Sequence, residues 1–238
     1  MRIIAVIPAY NEAGRIVSVV QATVRYVDQV IVVDDGSTDG TGIAAEQQGA
    51  LVLRHRENCG AGAATMTGID AARALKADVI VTLDADEQHD PGDIPHLLKP
   101  VLADEADIVF ANRFGSFSAA SVRKVQDRQG KRRNHIPLIR RIFNGIGNIV
   151  TFAVTGRWVT DSQCGFKVFG PRAVAEVDIR MRGFEYCTEL VRETVQRRWR
   201  MAQVPIKVLY SEYTLAKGQS FANGVKTALK ILLRSFLR

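Results

Sequence analysis

Val79-Ile80-Val81-Thr82-Leu83-Asp84-Ala85-Asp86 is a run of apolar residues that ends abruptly in two acids. Short apolar runs rich in β-branched residues are typical of buried strands. In open α/β folds, ligands bind at the carboxyl ends of the strands. Two carboxylates one residue apart need a countercharge, and their oxygens suit Mg²⁺ or Mn²⁺, which bridge phosphates. The stretch indicates either a metal and nucleotide site or an ordinary polar turn after a strand.

The first half of the chain repeats this pattern, with amphipathic segments between the apolar runs. Strands are predicted at 3–7, 30–33, 50–53, 78–83 and 108–111, and helices at 16–26, 42–48, 61–75 and 91–102. The second half adds helices at 139–154 and 184–197 and strands at 166–169 and 205–210. Strands that alternate with helices in this way predict an α/β fold, whose mostly parallel sheet is covered by helices on both faces.

The composition bounds the classes of protein that the chain can be. Its 238 residues suffice for one large domain, and a hydrophobic content of 47% is ordinary for a globular protein. The net charge of +7 favours a polyanionic partner, which can be a nucleotide, a phospholipid surface or a nucleic acid. Three widely spaced cysteines predict neither a disulfide framework nor a zinc site, so a reducing cytosol is expected. The sequence contains no run of about 18 apolar residues, so no membrane span is predicted.

Two basic segments stand apart from the alternating pattern. The first is predicted to be a surface loop at 116–138, whose few aromatic residues disfavour nucleic-acid binding. The second is a basic amphipathic helix at 211–238. Four basic residues fall on one face of that helix: Lys226, Lys230, Arg234 and Arg238. Such a helix either lies on an anionic membrane or docks on the domain with its basic face in solvent.

A second predicted strand also ends in acids. The apolar run at 30–33 is followed by Asp34, Asp35 and a polar turn that contains glycine. Because parallel strands present their carboxyl ends at one edge of a sheet, these acids can share a crevice with those after residue 83. The first strand ends at the same edge. There a carboxylate can accept a hydrogen bond from a nucleobase, and Tyr10 can stack on the base.

Four short motifs occur in an order that is informative as a set. They are Ile7-Pro8-Ala9-Tyr10-Asn11-Glu12, Val32-Val33-Asp34-Asp35-Gly36-Ser37, Asp84-Ala85-Asp86-Glu87-Gln88-His89 and Asp161-Ser162-Gln163-Cys164-Gly165-Phe166-Lys167. Over nearly its whole length the chain resembles family 2 glycosyltransferases of the GT-A fold, most closely the dolichyl- and polyprenyl-phosphate mannosyl- or glucosyltransferases. The resemblance implies a GT-A catalytic domain at 1–210, with a nucleotide-sugar half at 1–115 and an acceptor half at 116–210, before the terminal helix.

The resemblance also implies roles for residues on the donor side. The nucleotide contacts would be Pro8, Tyr10, Glu12, Asp34 and Asp35, with Asp35 at the base. The ligands of a Mg²⁺ or Mn²⁺ ion would be Asp84, Asp86 and Gln88. The cation would neutralise the diphosphate leaving group, so Asp86 is expected to be catalytic as well.

On the acceptor side, Arg113 and Arg140 fall where that branch holds the acceptor phosphate. Asn144 stands where the branch has a serine, and Lys217 meets a late basic phosphate-binding motif only loosely. The chain departs from the family at two further positions: Glu87 replaces a usual apolar residue, and Cys164 replaces a common threonine. These departures bear on the identity of donor and acceptor and leave the fold assignment unaffected.

The resemblance implies a single in-line displacement at the anomeric carbon of the sugar, with inversion of its configuration. A hexose would pass from a donor of the GDP-mannose or UDP-glucose type to a polyprenyl or dolichyl phosphate, on a peripheral protein at the cytosolic membrane face. An ionised phosphate needs positioning by Arg113 and Arg140 and no general base.

Two alternatives remain for the function. The first is a soluble transferase that acts on a glycan hydroxyl, with Asp161 or Glu185 as the general base. A hydrogen-bonded turn for Asp161 and an exposed helix face for Glu185 are the structural explanations of those two acids. The second alternative is a non-catalytic basic module that binds a membrane or nucleic acid.

Two further patterns are interpreted as structural. Gly60-Ala61-Gly62 lacks the third glycine of a dinucleotide-binding loop, since Thr65 stands in its place. His89 and His96, with acids nearby, imitate a metal cluster, but prolines at 91 and 95 favour a turn and a helix start.

Overall fold

The computed structural model describes residues 1–115 and 138–208, with the backbone alone for 138–143. Its centre is a seven-stranded sheet in the order β3-β2-β1-β4-β6-β5-β7. The strands are β1 (Ile3–Ala9), β2 (Gln29–Asp34), β3 (Leu51–Arg54), β4 (Val79–Thr82), β5 (Ile108–Asn112), β6 (Lys167–Phe169) and β7 (Met201–Pro205). The helices are α1 (Ala13–Thr23), α2 (Thr41–Glu46), α3 (Ala61–Ala74), α4 (Ile94–Leu102), α5 (Leu138–Thr155), α6 (Pro171–Glu176) and α7 (Tyr186–Gln196), with a 3-10 helix at Pro91–Asp93.

The strand directions explain how distant parts of the chain meet at one edge. β1 pairs in parallel with β2 and β4, and β2 pairs in parallel with β3. β6 runs antiparallel between β4 and β5, and β7 is parallel to β5. Because β6 is reversed, the residues that precede it lie beside the carboxyl ends of β4 and β5. The predicted mostly parallel α/β sheet is confirmed, with β6 as its antiparallel member.

Helices cover both faces of the sheet because alternate strand residues point to opposite sides. On one face, Ile7 of β1 shares a core with Ile16 of α1 and Leu97 of α4. On the other face, Val6 shares a core with Ile69 of α3 and with apolar residues of α6 and α7. The predicted helices on both faces of the sheet are therefore confirmed.

The last strand lies earlier in the chain than predicted. The predicted strand at 205–210 is wrong in position, since β7 covers Met201–Pro205 and pairs with β5. Ile206 and Val208 are buried, and Val208 forms an isolated antiparallel bridge with His89. A short apolar run indicates burial, but it does not specify which residues pair with a neighbouring strand.

Several predicted features lie outside the described residues. They are the basic loop up to residue 137, the basic helix at 211–238 and Lys217. Within residues 1–115 and 138–208, no helix combines the length and the apolar character that crossing a membrane requires.

Candidate active site

The turn after β4 carries the first two acids of the site. β4 ends at Thr82, and the residues that follow place Asp84 and Asp86 at the carboxyl edge of the sheet. Asp86 accepts a hydrogen bond from the backbone N–H of Gln88 at 3.0 Å and another from the Gln88 side-chain amide. The Asp84 side chain keeps 41% of its surface open to solvent. The three predicted metal ligands therefore lie in one turn, and one of them is accessible from outside.

The electrostatics of this turn favour a bound cation. Desolvation raises the pKa of both carboxyls, and the charge of Asp84 raises the pKa of Asp86 further. Two neighbouring carboxylates repel each other when both are ionised. A hard divalent cation removes that repulsion and prefers oxygen ligands. The chemistry of this donor set, two carboxylates and an amide, therefore fits Mg²⁺ or Mn²⁺.

Glu87, which departs from the family pattern, makes its contacts away from the acid pair. Its backbone φ of +63° lies in the left-handed region. Its carboxylate accepts a hydrogen bond from the Ser18 hydroxyl and lies 3.9 Å from Nε of Arg15, both on α1. These contacts explain an acid at position 87 without a role in metal binding.

His89 contacts the first of the acids after β4, a position that the sequence did not indicate. The predicted helix start is confirmed, since Asp90 accepts a hydrogen bond from the N–H of Gly92 at 2.9 Å. His89 itself is buried. Its Nδ1 accepts from the backbone N–H of Asp84 at 3.3 Å, and its Nε2 lies 3.5 Å from Sγ of Cys164. Burial lowers the pKa of His89 to about 4, so the ring is neutral at pH 7 and can hold the Asp84 backbone.

The segment before β6 packs against the side chain of Asp84, which stays partly open to solvent. A Cβ at Gly165 would lie 2.1 Å from a carboxylate oxygen of Asp84, so any larger residue would have to move the acid. The Thr82 hydroxyl fixes this segment by donating to the carbonyl oxygen of Gly165 at 2.8 Å. The glycine of the 161–167 motif thus sets the position of Asp84. It lies beside the end of β4 because β6 runs antiparallel to that strand.

Lys167 brings a fully buried positive charge to the site. Its ammonium donates a hydrogen bond to the carbonyl oxygen of Cys164 and lies 5.7 and 5.4 Å from the ring centroids of Phe110 and Tyr186. Partial desolvation is the larger influence on the pKa of Asp84 and raises it, while the charge of Lys167 lowers it. The sequence signal for this residue is a lone lysine between apolar residues at the start of β6, a pattern that does not by itself indicate a role at the site.

Arg113 and Asp161 form a single ion pair at the end of β5. Nε and Nη2 of Arg113 donate to the two carboxylate oxygens of Asp161 at 2.7 and 2.8 Å, and the backbone N–H of Arg113 donates at 3.0 Å. The Asp161 side chain is completely buried, and that of Arg113 is 16% exposed. Asn144 of α5 adds an acceptor 3.4 Å from Nη2. The predicted phosphate contact and a predicted base are therefore engaged with each other, which fixes the plane of the guanidinium.

Asp34 is buried at the end of β2. It accepts a hydrogen bond from the backbone N–H of Ser37 at 2.8 Å and lies 3.5 Å from Nε of Arg54. A Cβ at Gly42 would lie 2.7 Å from its carboxylate, so α2 begins directly against this acid. Asp34 therefore stabilises the turn after β2 by a hydrogen bond inside it. Its contact with a nucleotide stays a prediction.

Asp35 is engaged on both oxygens. Oδ1 pairs with Nδ1 of His55 at 2.7 Å and accepts from the N–H of Cys59 at 2.9 Å, while Oδ2 accepts from the N–H of Gly60 at 2.8 Å. A carboxylate offers about four acceptor positions, so one remains on Oδ2.

The same residues form a second cluster of possible metal ligands. The ligand atoms of Asp35, His55 and Cys59 all lie within 4.8 Å of one another. Nε2 of His55 lies 3.0 Å from Oγ1 of Thr67, however, so both ring nitrogens already have protein partners. A metal at this cluster would have to replace the hydrogen bonds of His55. A metal at the acids after β4 would instead relieve the repulsion between two carboxylates.

The glycines after β3 serve the packing of α3. The carbonyl oxygen of Arg182 accepts from the N–H groups of Gly62 and Ala63 at 2.7 and 3.2 Å, in the first turn of the helix. A Cβ at Gly60 would lie 2.4 Å from that oxygen. A protein carbonyl therefore takes the position at this helix terminus that a phosphate takes in a dinucleotide-binding loop, which supports the structural interpretation of these glycines.

The end of β1 contributes the other predicted nucleotide contacts. Pro8 lies within the strand, opposite Val33 of β2. Tyr10 is 43% exposed, whereas Glu12 is buried with its carboxylate 3.9 Å from Nη1 of Arg15. Of these three residues, Tyr10 presents the most surface on which a base can stack.

The structure does not unite every predicted site residue. Arg140 lies on α5, where the backbone alone is described, and Lys217 lies outside the described residues. The exposed helix face, given as the structural explanation of Glu185, is wrong: the residue is buried at the start of α7, where a Cβ on Gly183 would lie 2.4 Å from its carboxylate. The segment that follows Asp161 contacts the turn after β4 at two points: Gly165 packs against the carboxylate of Asp84, and Sγ of Cys164 lies 3.5 Å from Nε2 of His89. The charges of Arg113 and Asp161 also act on the pKa of Asp84. The acids after β4 and the ion pair after β5 therefore belong to one site.

Comparison with known proteins defines the class to which this site belongs. The chain matches the model of glycosyl transferase family 2 over residues 4–162, so it belongs to that family and is a glycosyltransferase. It is 32% identical to the UDP-N-acetylglucosamine–dolichyl-phosphate N-acetylglucosaminyltransferase of Methanococcus voltae, with 96% of this chain and 94% of the relative covered. It is 28% identical to the undecaprenyl-phosphate mannosyltransferase of Micrococcus luteus, with 89% and 85% covered.

A solved structure with a similar fold is the glucosyl-3-phosphoglycerate synthase of Mycobacterium tuberculosis in complex with Mn²⁺, UDP-glucose and phosphoglyceric acid. The TM-score is 0.71 at 21% identity, with 99% of this chain and 78% of that chain covered. The predicted GT-A fold and the predicted family are both confirmed.

Proposed function

We propose that this glycosyltransferase moves a hexose from a nucleotide diphosphate sugar to a polyprenyl or dolichyl phosphate, with a divalent cation and with inversion. The observation that carries the proposal is the Arg113–Asp161 pair beside the acids after β4, which joins an oriented guanidinium to a cation site. The relatives named for dolichyl-phosphate and undecaprenyl-phosphate support the same class of acceptor here. The donor would be of the GDP-mannose or UDP-glucose type, and an N-acetylhexosamine donor belongs in the same screen.

On the donor side, Asp84, Asp86 and Gln88 would hold Mg²⁺ or Mn²⁺. Bound there, the ion supplies the Lewis acid that neutralises the diphosphate leaving group. The contribution of the chain is to place the acids: His89 holds the backbone of Asp84, and Gly165 leaves room for its carboxylate. The Mn²⁺ in the structurally similar synthase supports a cation in this fold.

The nucleoside would lie across the ends of β1 and β2. Tyr10 would stack on the base, and the remaining acceptor position on Asp35 would receive a ring N–H. Pro8 and Glu12 would line the same position, and Asp34 would keep the turn after β2 in shape. All five roles stay predictions.

On the acceptor side, Arg113 would bind the lipid phosphate, and Arg140 would add a second positive charge. Asp161 acts in this proposal as a positioning residue, because both its oxygens hold the guanidinium of Arg113. A phosphate acceptor is already ionised, so no proton has to be removed for attack on the anomeric carbon. Orientation of the two substrates is then the main contribution of the protein.

The test is transfer from labelled sugar nucleotides to a short-chain polyprenyl phosphate, with Mn²⁺ and with EDTA. We expect metal-dependent transfer in the wild type and none in Arg113→Ala. The matched control is Arg200→Ala, because Arg200 makes the same two-pronged pair with Asp107 at the opposite end of β5.

Two outcomes would contradict the proposal. Transfer to a glycan hydroxyl that disappears in Asp161→Asn would favour the soluble transferase with a general base. Binding of vesicles or nucleic acid without turnover of any donor would favour the non-catalytic module. The proposed location is a peripheral position on the cytosolic membrane face.

A further inference from the structure

From residue 144 onward, where the side chains are described, the inner side of α5 is polar. Asn144, Asn148 and Thr151 are all buried. Oδ1 of Asn148 accepts from the backbone N–H of Ser162 at 3.0 Å, and the hydroxyls of Thr151 and Thr188 lie 2.9 Å apart. Hydrogen bonds therefore attach this side of the helix to the segment before β6 and to α7.

The outer side of α5 is apolar and exposed. Ile146, Ile149 and Phe152 recur every third residue and are 47%, 60% and 46% exposed. Trp158, just after the helix, is 51% exposed, and its ring packs edge-on against Phe152 with 5.9 Å between centroids. We name these four residues the outer face of α5. A surface helix of a globular protein normally points its apolar side inward, so this helix has the opposite polarity. Such a surface indicates an apolar partner.

We infer that the outer face of α5 inserts into the interfacial region of an anionic phospholipid bilayer. The inference deepens the proposed function and rests on it for the choice of a membrane as partner. The stretch 128–160 contains seven Lys and Arg residues and no Asp or Glu, which suits anionic lipid and would oppose pairing with a second copy of itself. Tryptophan with flanking arginine, as at Arg157 and Trp158, is favourable at the level of the lipid headgroups.

The position of the outer face agrees with the proposed acceptor site. Asn144 lies two residues before Ile146 on α5, and its Oδ1 is 3.4 Å from Nη2 of Arg113. Residues two apart on a helix point to opposite sides, so the guanidinium proposed to bind the lipid phosphate lies one helix width, about 10 Å, from the start of the apolar surface. A lipid phosphate lies at the membrane surface, so a protein that binds it there needs a membrane-facing surface beside that contact. The outer face of α5 meets this requirement.

Tryptophan fluorescence of the full chain tests the inference directly. The chain has two tryptophans, and Trp199 is buried, so Trp158 reports on the outer face. With vesicles of phosphatidylcholine and phosphatidylglycerol, we expect a blue shift of the emission and quenching by brominated acyl chains. Both effects should be absent in Trp158→Phe. Vesicle binding without any quenching of Trp158 would overturn the inference.

Paired substitutions separate this surface from the basic segments. Ile149→Ser with Phe152→Ser should weaken vesicle binding by about tenfold or more, which corresponds to about 1.4 kcal/mol. The matched control is Ile43→Ser with Leu102→Ser, at residues that are 59% and 52% exposed on α2 and α4, and its binding should be unchanged. Unchanged binding of the first pair would overturn the inference. So would a wild-type dimer that only the first pair dissociates, because the face would then belong to a second copy.

The transfer assay distinguishes this inference from the proposed function. The Ile149→Ser and Phe152→Ser variant should transfer normally to a short, water-soluble prenyl phosphate and poorly to a long-chain one in vesicles. Equal loss with both acceptors would mean damage to the site and would overturn the inference. If the wild type transferred to no lipid phosphate at all, the proposed function would fail, and the fluorescence result would still decide the question of membrane insertion.

Discussion

The acids after β4 and the ion pair after β5 lie in one site but handle charge in opposite ways. Desolvation raises the pKa of both Asp84 and Asp86, the charge of Asp84 raises the pKa of Asp86 further, and the buried Lys167 offsets part of the effect at Asp84. At Arg113, the carboxylate of Asp161 neutralises and orients the guanidinium. In the proposed function a cation completes the first arrangement, whereas the second is completed by the protein itself. The two halves of the site should therefore respond differently to substitution.

Asp86→Asn should have the largest effect on activity. Loss of a metal ligand removes several kcal/mol of stabilisation of the developing charge, so we expect transfer to fall roughly a thousandfold. Stability without metal should rise, because Asp84 would no longer face a second carboxylate. Initial rates at saturating Mn²⁺ and thermal unfolding in EDTA measure the two effects. Wild-type activity in this variant would refute metal binding by Asp86.

Asp161→Asn should damage the second arrangement in a different way. Breaking a buried ion pair costs on the order of 3 kcal/mol of unfolding free energy. The KM for the lipid phosphate should rise about tenfold or more, while donor binding stays unchanged, because Arg113 would lose its orientation. Steady-state kinetics with each substrate varied in turn measure this. A large fall in kcat with an unchanged acceptor KM would instead indicate a general base.

Gly165→Ala should act on the first arrangement without removing a ligand. A Cβ at this position would lie 2.1 Å from the Asp84 carboxylate, so the acid must move. We expect Mn²⁺ affinity to fall about tenfold, or about 1.4 kcal/mol. The matched control is Gly14→Ala on α1, where a Cβ meets nothing within 4 Å. Equal Mn²⁺ affinity in the two variants would show that Gly165 does not position Asp84.

Substitution in the pair of Asp107 and Arg200 should have the smallest effect on transfer. It is a control for the ion pair of Arg113 and Asp161. Nη2 and the backbone N–H of Arg200 donate to Asp107 at 2.9 and 2.7 Å, and hydrogen bonding from Arg200 lowers the pKa of Asp107. This stabilisation is present above the unfolded pKa of about 3.9 and is lost as the pH falls through the lower folded value.

Asp107→Asn should therefore lower the thermal midpoint at neutral pH and leave transfer unchanged. The difference in midpoint from the wild type should shrink as the pH falls below about 4. Thermal unfolding across that range and one transfer assay measure both results. A transfer defect as large as that of Asp161→Asn would mean that Asp161 acts through general stability.

The sequence was sufficient for features that depend on local pattern. The alternation of strands and helices predicted the sheet, and the motifs predicted which acids follow β2 and β4. Features that depend on strand direction and distant contacts were not accessible. Arg113 and Asp161 are 48 residues apart, and only the reversed β6 brings them together.

Residues whose role depends on burial were also missed. His89 was assigned to a turn, although its ring holds Asp84, because sequence spacing does not show where a side chain points. The reversed polarity of α5 was missed because apolar spacing alone does not tell which side of a helix faces the core. Similarly, the apolar residues of the predicted strand at 205–210 indicated burial but not the position of β7.

Mn²⁺ binding in the presence of a nucleoside diphosphate tests the central claim, that the acids after β4 hold the cation. Electron paramagnetic resonance can count the bound ions in the wild type, Asp86→Asn and Cys59→Ser. The expected result is one Mn²⁺ in the wild type and in Cys59→Ser, and none in Asp86→Asn. Binding that survives in Asp86→Asn and disappears in Cys59→Ser would contradict the claim, because the ion would then lie at Asp35, His55 and Cys59.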